Sequence, residues 1–515
     1  MYLLIALLVS HPSLIDRPAA QRSDSTLLRV LAINDFHGAL EPRAWPWSGG
    51  REVGGAAALK PWLDSLARAC RCATVRLDAG DEMQGTLVSN TSYGRPVIAT
   101  FNALGIDAAA IGNHEFDWSV DTLRARMAEA RYKFLAANIT DSGPADRPDW
   151  AEPWTLIQRG GARVAVIGLA LRSTPTETAP RNVRGLAFGE GAAAVRRVLP
   201  QARAAADIVI VLAHEGAFCD GAAAAAPVAG AACHGGIVDV ARGLDSGSVD
   251  LIVSGHTHSL VNTVVNGIAI VQARSSGGGI DVVDIVRTAA GRREVRARIE
   301  TPYTDRVQPD PSVLEIVTFY GKAIAGLTSR VVGRFQTELR RRGDEYALGR
   351  LIADAQRDVA KADVAIVNNG GIRADLPAGT ATYGDLYAVQ PFQNRLVRLA
   401  VKGDVLLQAL EHAVAGERPD AHVSGVELWY DPGKRPGDRI TRVRLADGNG
   451  IERDRTYTLA VSDFLAAGGS GFAMLVGRPG ADLGVLDLDA LIGYLAVLRQ
   501  PIAPPDDARL HRKGG

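Results

Sequence analysis

Leu28–His37 reads LRVLAINDFH, an apolar run that stops abruptly at Asn34, Asp35 and His37. A short continuous apolar run is what a strand buried on both faces of a parallel sheet requires. The same plan recurs in Thr74–Asp81 (TVRLDAGD), Ala108–His114 (AAAIGNH), Ile208–His214 (IVIVLAH) and Val249–His258 (VDLIVSGHTH). Open α/β sheets carry their chemistry at the carboxyl ends of such strands. Five strand ends therefore predict one rim bearing Asp35, His37, Asp81, Asn113, His214, His256 and His258, a ligand set suited to a paired-metal hydrolase.

Oxygen and nitrogen donors without sulfur suit zinc, manganese, iron or a similar divalent ion, not a calcium cage. A dinuclear site needs one bridging carboxylate, and Asp81, behind Gly80, is placed for it. Two divalent cations outweigh the charge of Asp35 and Asp81 and leave a surplus that attracts a phosphate dianion. Ions roughly 3.5–4 Å apart would clamp the phosphate oxygens and activate a bridging water. The His-Glu-x-x-His helix of a single-metal protease is absent from the sequence.

Taken in order, Asp-x-His, Gly-Asp, Gly-Asn-His-Glu, His and Gly-His-x-His resemble the calcineurin-like metallophosphoesterase superfamily. The longer strings INDFHG and IGNHEFDW resemble its 5′-nucleotidase branch, and the resemblance covers nearly the whole chain. It implies an α/β fold, a four-layer α/β/β/α sandwich followed by a smaller α/β substrate-binding domain. It implies two divalent metal ions (Zn, Mn or similar) and hydrolysis of nucleotide phosphomonoesters by a metal-activated hydroxide. On the same resemblance, Asp35, His37, Asp81 and His258 hold one ion, and Asp81, Asn113, His214 and His256 the other. His114 would stabilise the transition state or protonate the leaving alkoxide, with Asp117 orienting its ring. An imidazole held by a carboxylate keeps its charge, which suits an anionic transition state. Nucleotide-sugar or dinucleotide pyrophosphates and 2′,3′-cyclic nucleotides are alternative substrates for the same site. A non-catalytic binding protein would have no use for the pair His114 and Asp117.

Three strings carry the C-terminal half: Tyr346–Gln356 (YALGRLIADAQ), Val367–Ala374 (VNNGGIRA) with Gln390–Arg395 (QPFQNR), and Val461–Phe472 (VSDFLAAGGSGF). They resemble the 5′-nucleotidase C-terminal domain, which binds the nucleoside and swings it to the metals. Asn369-Gly-Gly-Ile-Arg373 is a tight turn presenting a guanidinium suited to phosphate oxygens. The resemblance makes Arg342 a second anion contact and Asn369 a nucleoside hydrogen-bond partner, and has Phe392 and Phe464 sandwich the base. Such stacking is worth about 1–3 kcal/mol and tolerates any base. One departure bears on the substrate. Where the family pattern reads Gly-Gly-Asp and its Asp grips the ribose hydroxyls, this chain reads Gly468-Gly469-Ser470. A hydroxyl cannot replace a carboxylate that accepts two hydrogen bonds, which opens the substrate question to deoxynucleotides and other phosphoesters.

The chain has 515 residues, enough for two or more cores. Its 57 basic residues equal its 57 acidic ones, which leaves no basic field for a nucleic-acid polymer. The expected partner is a small nucleotide; nothing in the sequence sets an oligomeric state. Met1–Ser10 (MYLLIALLVS) is apolar but far shorter than the ~20 residues of a membrane span. It resembles the core of a secretion signal, so a periplasmic or secreted location is expected. Cys219 and Cys233 flank an Ala/Gly/Pro-rich loop, and a disulfide there would stabilise by roughly 3 kcal/mol. Cys70 and Cys72 stand too close for an easy mutual bridge and receive no role. The expected division is a signal-like segment at 1–26, a catalytic domain at 27–304, a linker helix within 305–330, a substrate-binding domain at 331–500 and a disordered tail at 501–515. Pro96–Leu104, Ser119–Ala130 and Pro311–Ala325 are expected helices.

Overall fold

The computed structural model describes residues 25–141, 147–220, 233–288 and 293–513. The signal-like Met1–Ser10 and the loop between Cys219 and Cys233 fall largely outside these residues.

Ser25–Ile33 pairs in parallel with Ala73–Asp78, which pairs with Ala108–Ala110, and that strand with Lys133–Leu135. Ile280–Arg287 and Arg293–Glu300 complete this six-stranded sheet as antiparallel strands on the other side of Ser25–Ile33. A second six-stranded sheet has the parallel strands Ala162–Leu169, Ile208–Ala213, Leu251–Ser254 and Ile268–Gln272 at its centre.

Strand alternation sorts the side chains between layers. Leu28, Val30 and Ala32 pack with Val75, Leu77, Val166, Ile210, Leu212 and Val253 in a core between the two sheets. Leu31 and Ile33, one step out of phase, pack outward on Leu59, Leu63, Phe101 and Leu104 of the helices Ala56–Arg68 and Arg95–Leu104. The second sheet repeats this with Ile167, Val209 and Val211 against Val195 and Val198 of the helix Gly191–Ala205. Each fully buried aliphatic side chain contributes about 1.5–3 kcal/mol. Strands with two apolar faces require helices on both outer surfaces, which gives the four-layer α/β/β/α order.

The expected helices form with local causes. Arg95–Leu104 ends on Gly105 in the left-handed region (φ 70°), and the Ser119 hydroxyl accepts from the Thr122 N–H at the start of Val120–Glu129. Pro311–Thr328 starts on Asp310, whose carboxylate accepts from the N–H groups of Ser312 and Val313. Val313 and Val317 join the core of the first sheet, so this helix leaves the N-terminal half docked on it. Beyond it lies a five-stranded sheet in the order Ala421–Ser424, Val364–Asn368, Thr456–Ser462, Arg395–Lys402, Gly480–Leu486. The helices Ala347–Ala360 and Asp487–Val497 pack together on this half.

Two expectations are corrected. Cys70 and Cys72 pair with each other, their Cα atoms 5.2 Å apart, because the chain bends between them after the end of Ala56–Arg68. Cys219 and Cys233 pair as expected. The tail after Pro501 is not disordered over its described length: Leu510–Arg512 adds a parallel strand to Val426–Tyr430. Arg509 anchors it, donating to both oxygens of Asp354 at 2.7 and 2.9 Å. Among the described residues no helix is long and apolar enough to cross a membrane.

Candidate metal centre and active site

Asp35 and His37 follow Ser25–Ile33, Asp81 follows Ala73–Asp78, and Asn113 follows Ala108–Ala110. From the second sheet, His214 follows Ile208–Ala213, and His256 and His258 follow Leu251–Ser254. All seven leave the carboxyl ends of parallel strands, and both sheets contribute to one rim.

The turns carrying them are strained. Asp35 (φ 49°), His37 (50°), Asp81 (57°), His256 (73°) and His258 (54°) occupy the left-handed region, which disfavours residues with a Cβ. Such conformations cost about 1–3 kcal/mol each and persist only where the surroundings over-determine them. The hydrogen bonds that do so run between the turns. The Asp35 and His37 N–H groups donate to the Gly80 and Asp81 carbonyls, each at 2.9 Å. The His256 N–H donates to the Asp35 carboxylate (3.0 Å), and the His114 N–H to the Asp81 carboxylate (2.9 Å). The buried Glu115 carboxylate accepts from the N–H groups of Gly112, Asp81 and Glu82 at 2.8–2.9 Å. Gly112 must be glycine here, since a Cβ would collide with the Asp81 carboxylate.

The side chains converge as two groups, Asp35–His37–His258 and Asp81–His214–His256. His37 Nε2 lies 3.0 Å from His258 Nε2, and His258 Nε2 lies 3.4 Å from Asp35 Oδ1. His214 Nε2 lies 3.0 Å from Asp81 Oδ2 and 3.2 Å from Asn113 Oδ1. Asp81 Oδ2 is also 3.9 Å from His37 Nε2, so the same oxygen faces both groups.

The partners of the far ring nitrogens show what belongs between them. His37 Nδ1 lies 2.8 Å from the Gln84 carbonyl and His214 Nδ1 2.8 Å from the Ala79 carbonyl. A carbonyl accepts only, so each Nδ1 carries the proton and each Nε2 presents a lone pair, the orientation of a metal-ligating imidazole. Those lone pairs point at one another and at carboxylate and amide oxygens, acceptor against acceptor. A divalent cation between them would satisfy these donors together, so the donor set fits metal. Against the opposing effect of burial, the Asp81 carboxylate holds the His214 pKa up at about 10, so without a metal a proton on Nε2 supplies the positive charge that this acidic site demands.

Beside this rim, His114 Nδ1 lies 2.7 Å from Asp117 Oδ2. Thr178 Oγ1 donates to Asp117 Oδ1 (2.8 Å), which holds the carboxylate, and Asn182 Nδ2 donates to the Asp117 backbone carbonyl (2.7 Å), which holds the turn beneath it. Burial opposes protonation of His114, but Asp117 and Asp81 outweigh it and raise its affinity for a proton. A cavity of about 240 Å³ is lined by Asp81, Asn113, His114, His256 and His258 on one side and by Arg373, Phe392, Phe464 and Ser470 on the other. Arg373 Nη2 comes within 3.3 Å of His37 Nε2.

Two sequence candidates stand apart from the cavity. The Asn369 side chain is spent on structure, donating to the Pro419 carbonyl (2.8 Å) and accepting from the Tyr346 hydroxyl (3.0 Å). Arg342 is exposed and outside the cavity lining. Its neighbour Arg341 instead donates to the Arg373 carbonyl (3.1 Å). The cavity is also lined by Asn368, Glu177 and Thr178, which the sequence reading did not single out. Asn368 Nδ2 donates to the Ser470 hydroxyl (3.1 Å), so Ser470 does face the cavity, but with one acceptor site already engaged. Glu115 was visible in Gly-Asn-His-Glu, and its anchoring role could have been suspected there.

A family model described as calcineurin-like phosphoesterase matches residues 28–260, and one described as 5′-nucleotidase, C-terminal domain, matches residues 324–477. The chain is 28% identical over 546 residues to the 5′-nucleotidase of Vibrio cholerae, covering 95% of this chain and 94% of that protein. It is 28% identical over 509 residues to endonuclease YhcR of Bacillus subtilis, covering 94% of this chain but spanning only 41% of that relative. Among solved structures, a 5′-nucleotidase precursor from Thermus thermophilus superposes with a TM-score of 0.82 at 27% identity, covering 95% of this chain and 99% of the other.

Proposed function

The chain belongs to the 5′-nucleotidase family, in which a calcineurin-like phosphoesterase domain is joined to a 5′-nucleotidase C-terminal domain, and from that premise we propose that it hydrolyses nucleotide phosphomonoesters with two divalent ions, zinc, manganese or similar. The observation that carries this reading is one cavity lined by Asp81, His256 and His258 as well as Arg373, Phe392 and Phe464.

In this proposal Asp35, His37 and His258 hold one ion, Asn113, His214 and His256 the other, and Asp81 serves both. Such ions, when bound, supply Lewis acidity: they offset charge on the phosphate and lower the pKa of water. Arg373 draws the phosphate oxygens with its guanidinium fork. Phe392 and Phe464 take the base. Asp117 keeps the His114 ring oriented and charged, and the imidazolium gives its proton to the nucleoside oxygen as the bond to phosphorus breaks. Ser470 offers the sugar a hydroxyl where a carboxylate would grip both ribose oxygens.

The division of labour follows the chain: residues 27–304 hold the metals, the helix within 305–330 links, and residues 331–500 hold the nucleoside. The two disulfides and the apolar Met1–Ser10 support a periplasmic or secreted location. The test is phosphate release from AMP by the metal-stripped protein, before and after zinc or manganese is restored. Release that returns with metal supports the reading; none with either ion overturns it.

A further inference from the structure

Four carboxylates line the nucleoside cavity: Asp81, Asp117, Glu177 and Asp463. Asp81 faces both metal groups, and Asp117 holds the His114 ring at 2.7 Å. Asp463 accepts from the Arg395 N–H (3.1 Å) and pairs with Arg181 (3.3 Å). Glu177 alone of the four has no donor within hydrogen-bond or ion-pair reach among the described residues. It is half-buried. Burial raises its pKa, and Asp420 and Asp81 add to that against the pull of His114 and Arg373. A carboxylate withdrawn from water and short of donors is an acceptor open to a ligand's O–H.

The backbone fixes where that acceptor stands. Glu177 ends the short helix Thr174–Glu177, in which the Thr174 hydroxyl donates to the Leu171 carbonyl (2.7 Å) and the Thr178 N–H to the Thr174 carbonyl (3.1 Å). Thr178 gives its hydroxyl proton to Asp117 (2.8 Å), which ties the helix to the proposed proton donor. The same helix packs on the turn Gly469–Gly471 of the C-terminal half. That turn is held as well: Asn368 donates to the Ser470 hydroxyl (3.1 Å) and His412 Nε2 to the Ser470 carbonyl (2.8 Å). Glu177 therefore stands between His114 and the turn of Ser470. In a nucleotide with its phosphate at Arg373 and its base at Phe392 and Phe464, the part at that height is the sugar.

We infer that Glu177 is a specificity-determining residue whose carboxylate accepts the sugar hydroxyls of a ribonucleotide, supplying from the metal-binding half the acceptor that Ser470 does not offer. This rests on the proposed phosphoesterase reading of the same cavity. Glu177 and Ser470 divide the sugar by their chemistry. The Ser470 oxygen already accepts from Asn368, so its own proton is left to donate to a sugar oxygen. The sugar's O–H protons go to Glu177. A sugar without these hydroxyls leaves the carboxylate unpaired, and sites of that kind reject such an analogue. The substrate class narrows from nucleotides at large to ribonucleoside monophosphates.

The experiment compares wild type, Glu177→Gln and Glu177→Ala, with manganese restored, on AMP and 2′,3′-dideoxy-AMP. Adenosine and 2′,3′-dideoxyadenosine are also titrated into each protein by calorimetry in chelator. The ratio of kcat/KM for AMP over the dideoxy substrate should fall by roughly tenfold or more in Glu177→Ala, mostly through KM, and by a smaller factor in Glu177→Gln, which keeps one acceptor oxygen. A purely structural role would slow both substrates alike and leave the ratio where it was. A ratio in Glu177→Ala within about twofold of wild type overturns the assignment. A wild type that releases phosphate from neither substrate overturns the phosphoesterase reading instead, and the titrations then decide Glu177 alone. Adenosine binding weakened more than dideoxyadenosine binding by Glu177→Ala supports it; equal weakening, or none, overturns it.

Discussion

The ring of Phe392 lies on the imidazole of His114, centroids 5.4 Å apart at 23°. One residue comes from the C-terminal half and the other from the metal rim, so an aromatic face covers the proposed proton donor. In the same arrangement Arg373 Nη2 lies 3.3 Å from His37 Nε2. Phe392→Ala should therefore raise the KM for AMP by roughly tenfold, equivalent to about 1.4 kcal/mol and within the range of about 1–3 kcal/mol for a lost stacking contact, with metal content unchanged. Steady-state kinetics checks it; an unchanged KM would remove Phe392 from nucleoside binding.

His114→Ala should lower turnover by a factor within the ~10²–10⁴ range of acid–base assistance while metal content stays intact. Asp117→Asn should produce a smaller loss, since Thr178 and Asn182 still hold residue 117 in place. Turnover of His114→Ala at the wild-type rate would exclude the residue from the mechanism.

Ser470→Asp should restore a carboxylate facing the sugar. The ratio of kcat/KM for AMP over 2′-deoxy-AMP is expected to rise by roughly tenfold or more, as for a hydrogen bond to a charged group. An unchanged ratio would mean that position 470 does not read the sugar.

His422 is fully buried in Ala421–Ser424, with neither ring nitrogen hydrogen-bonded. Burial, reinforced by Arg350, Arg509 and Arg341, lowers its pKa to about 3. The sign follows from linkage: between about 6.5 and 3 the unfolded chain binds a proton that the folded chain refuses, so stability is intact above about 6.5 and falls as the pH drops below it. The slope is up to about 1.4 kcal/mol per pH unit. Denaturant melts at pH 7 and pH 5 should show a smaller acid loss for His422→Phe than for the wild type.

Replacing Cys219 and Cys233 by serine should destabilise the protein by roughly 3 kcal/mol, since their bond closes a segment of 14 residues. Thermal melts of oxidised wild type and the double variant would show it as a lower Tm.

The metal rim was legible because each of its side chains sits where an apolar run ends, and a parallel sheet aligns such ends without long-range information. Strand alternation along Ser25–Ile33 also sends Leu28 and Leu31 to opposite layers, a division the sequence reading did not draw. What stayed hidden depended on register or distance. Asn368 closes the strand Val364–Asn368 while Asn369 opens the turn after it, and one step of phase decides which amide reaches the cavity. Glu177 sits on a helix of only four residues, too short to show a period. Arg509 finds Asp354 across 155 residues, which composition cannot foretell. Arg341 and Arg342 differ by nothing but the direction the backbone sends them.

Elemental analysis of the protein after dialysis against excess zinc or manganese most directly tests the paired-cation centre. Two tightly held ions per chain are expected for the wild type, with loss of metal and of AMP hydrolysis together in Asp81→Ala. A folded wild type that retains no metal, or hydrolysis that survives complete chelation, would contradict it.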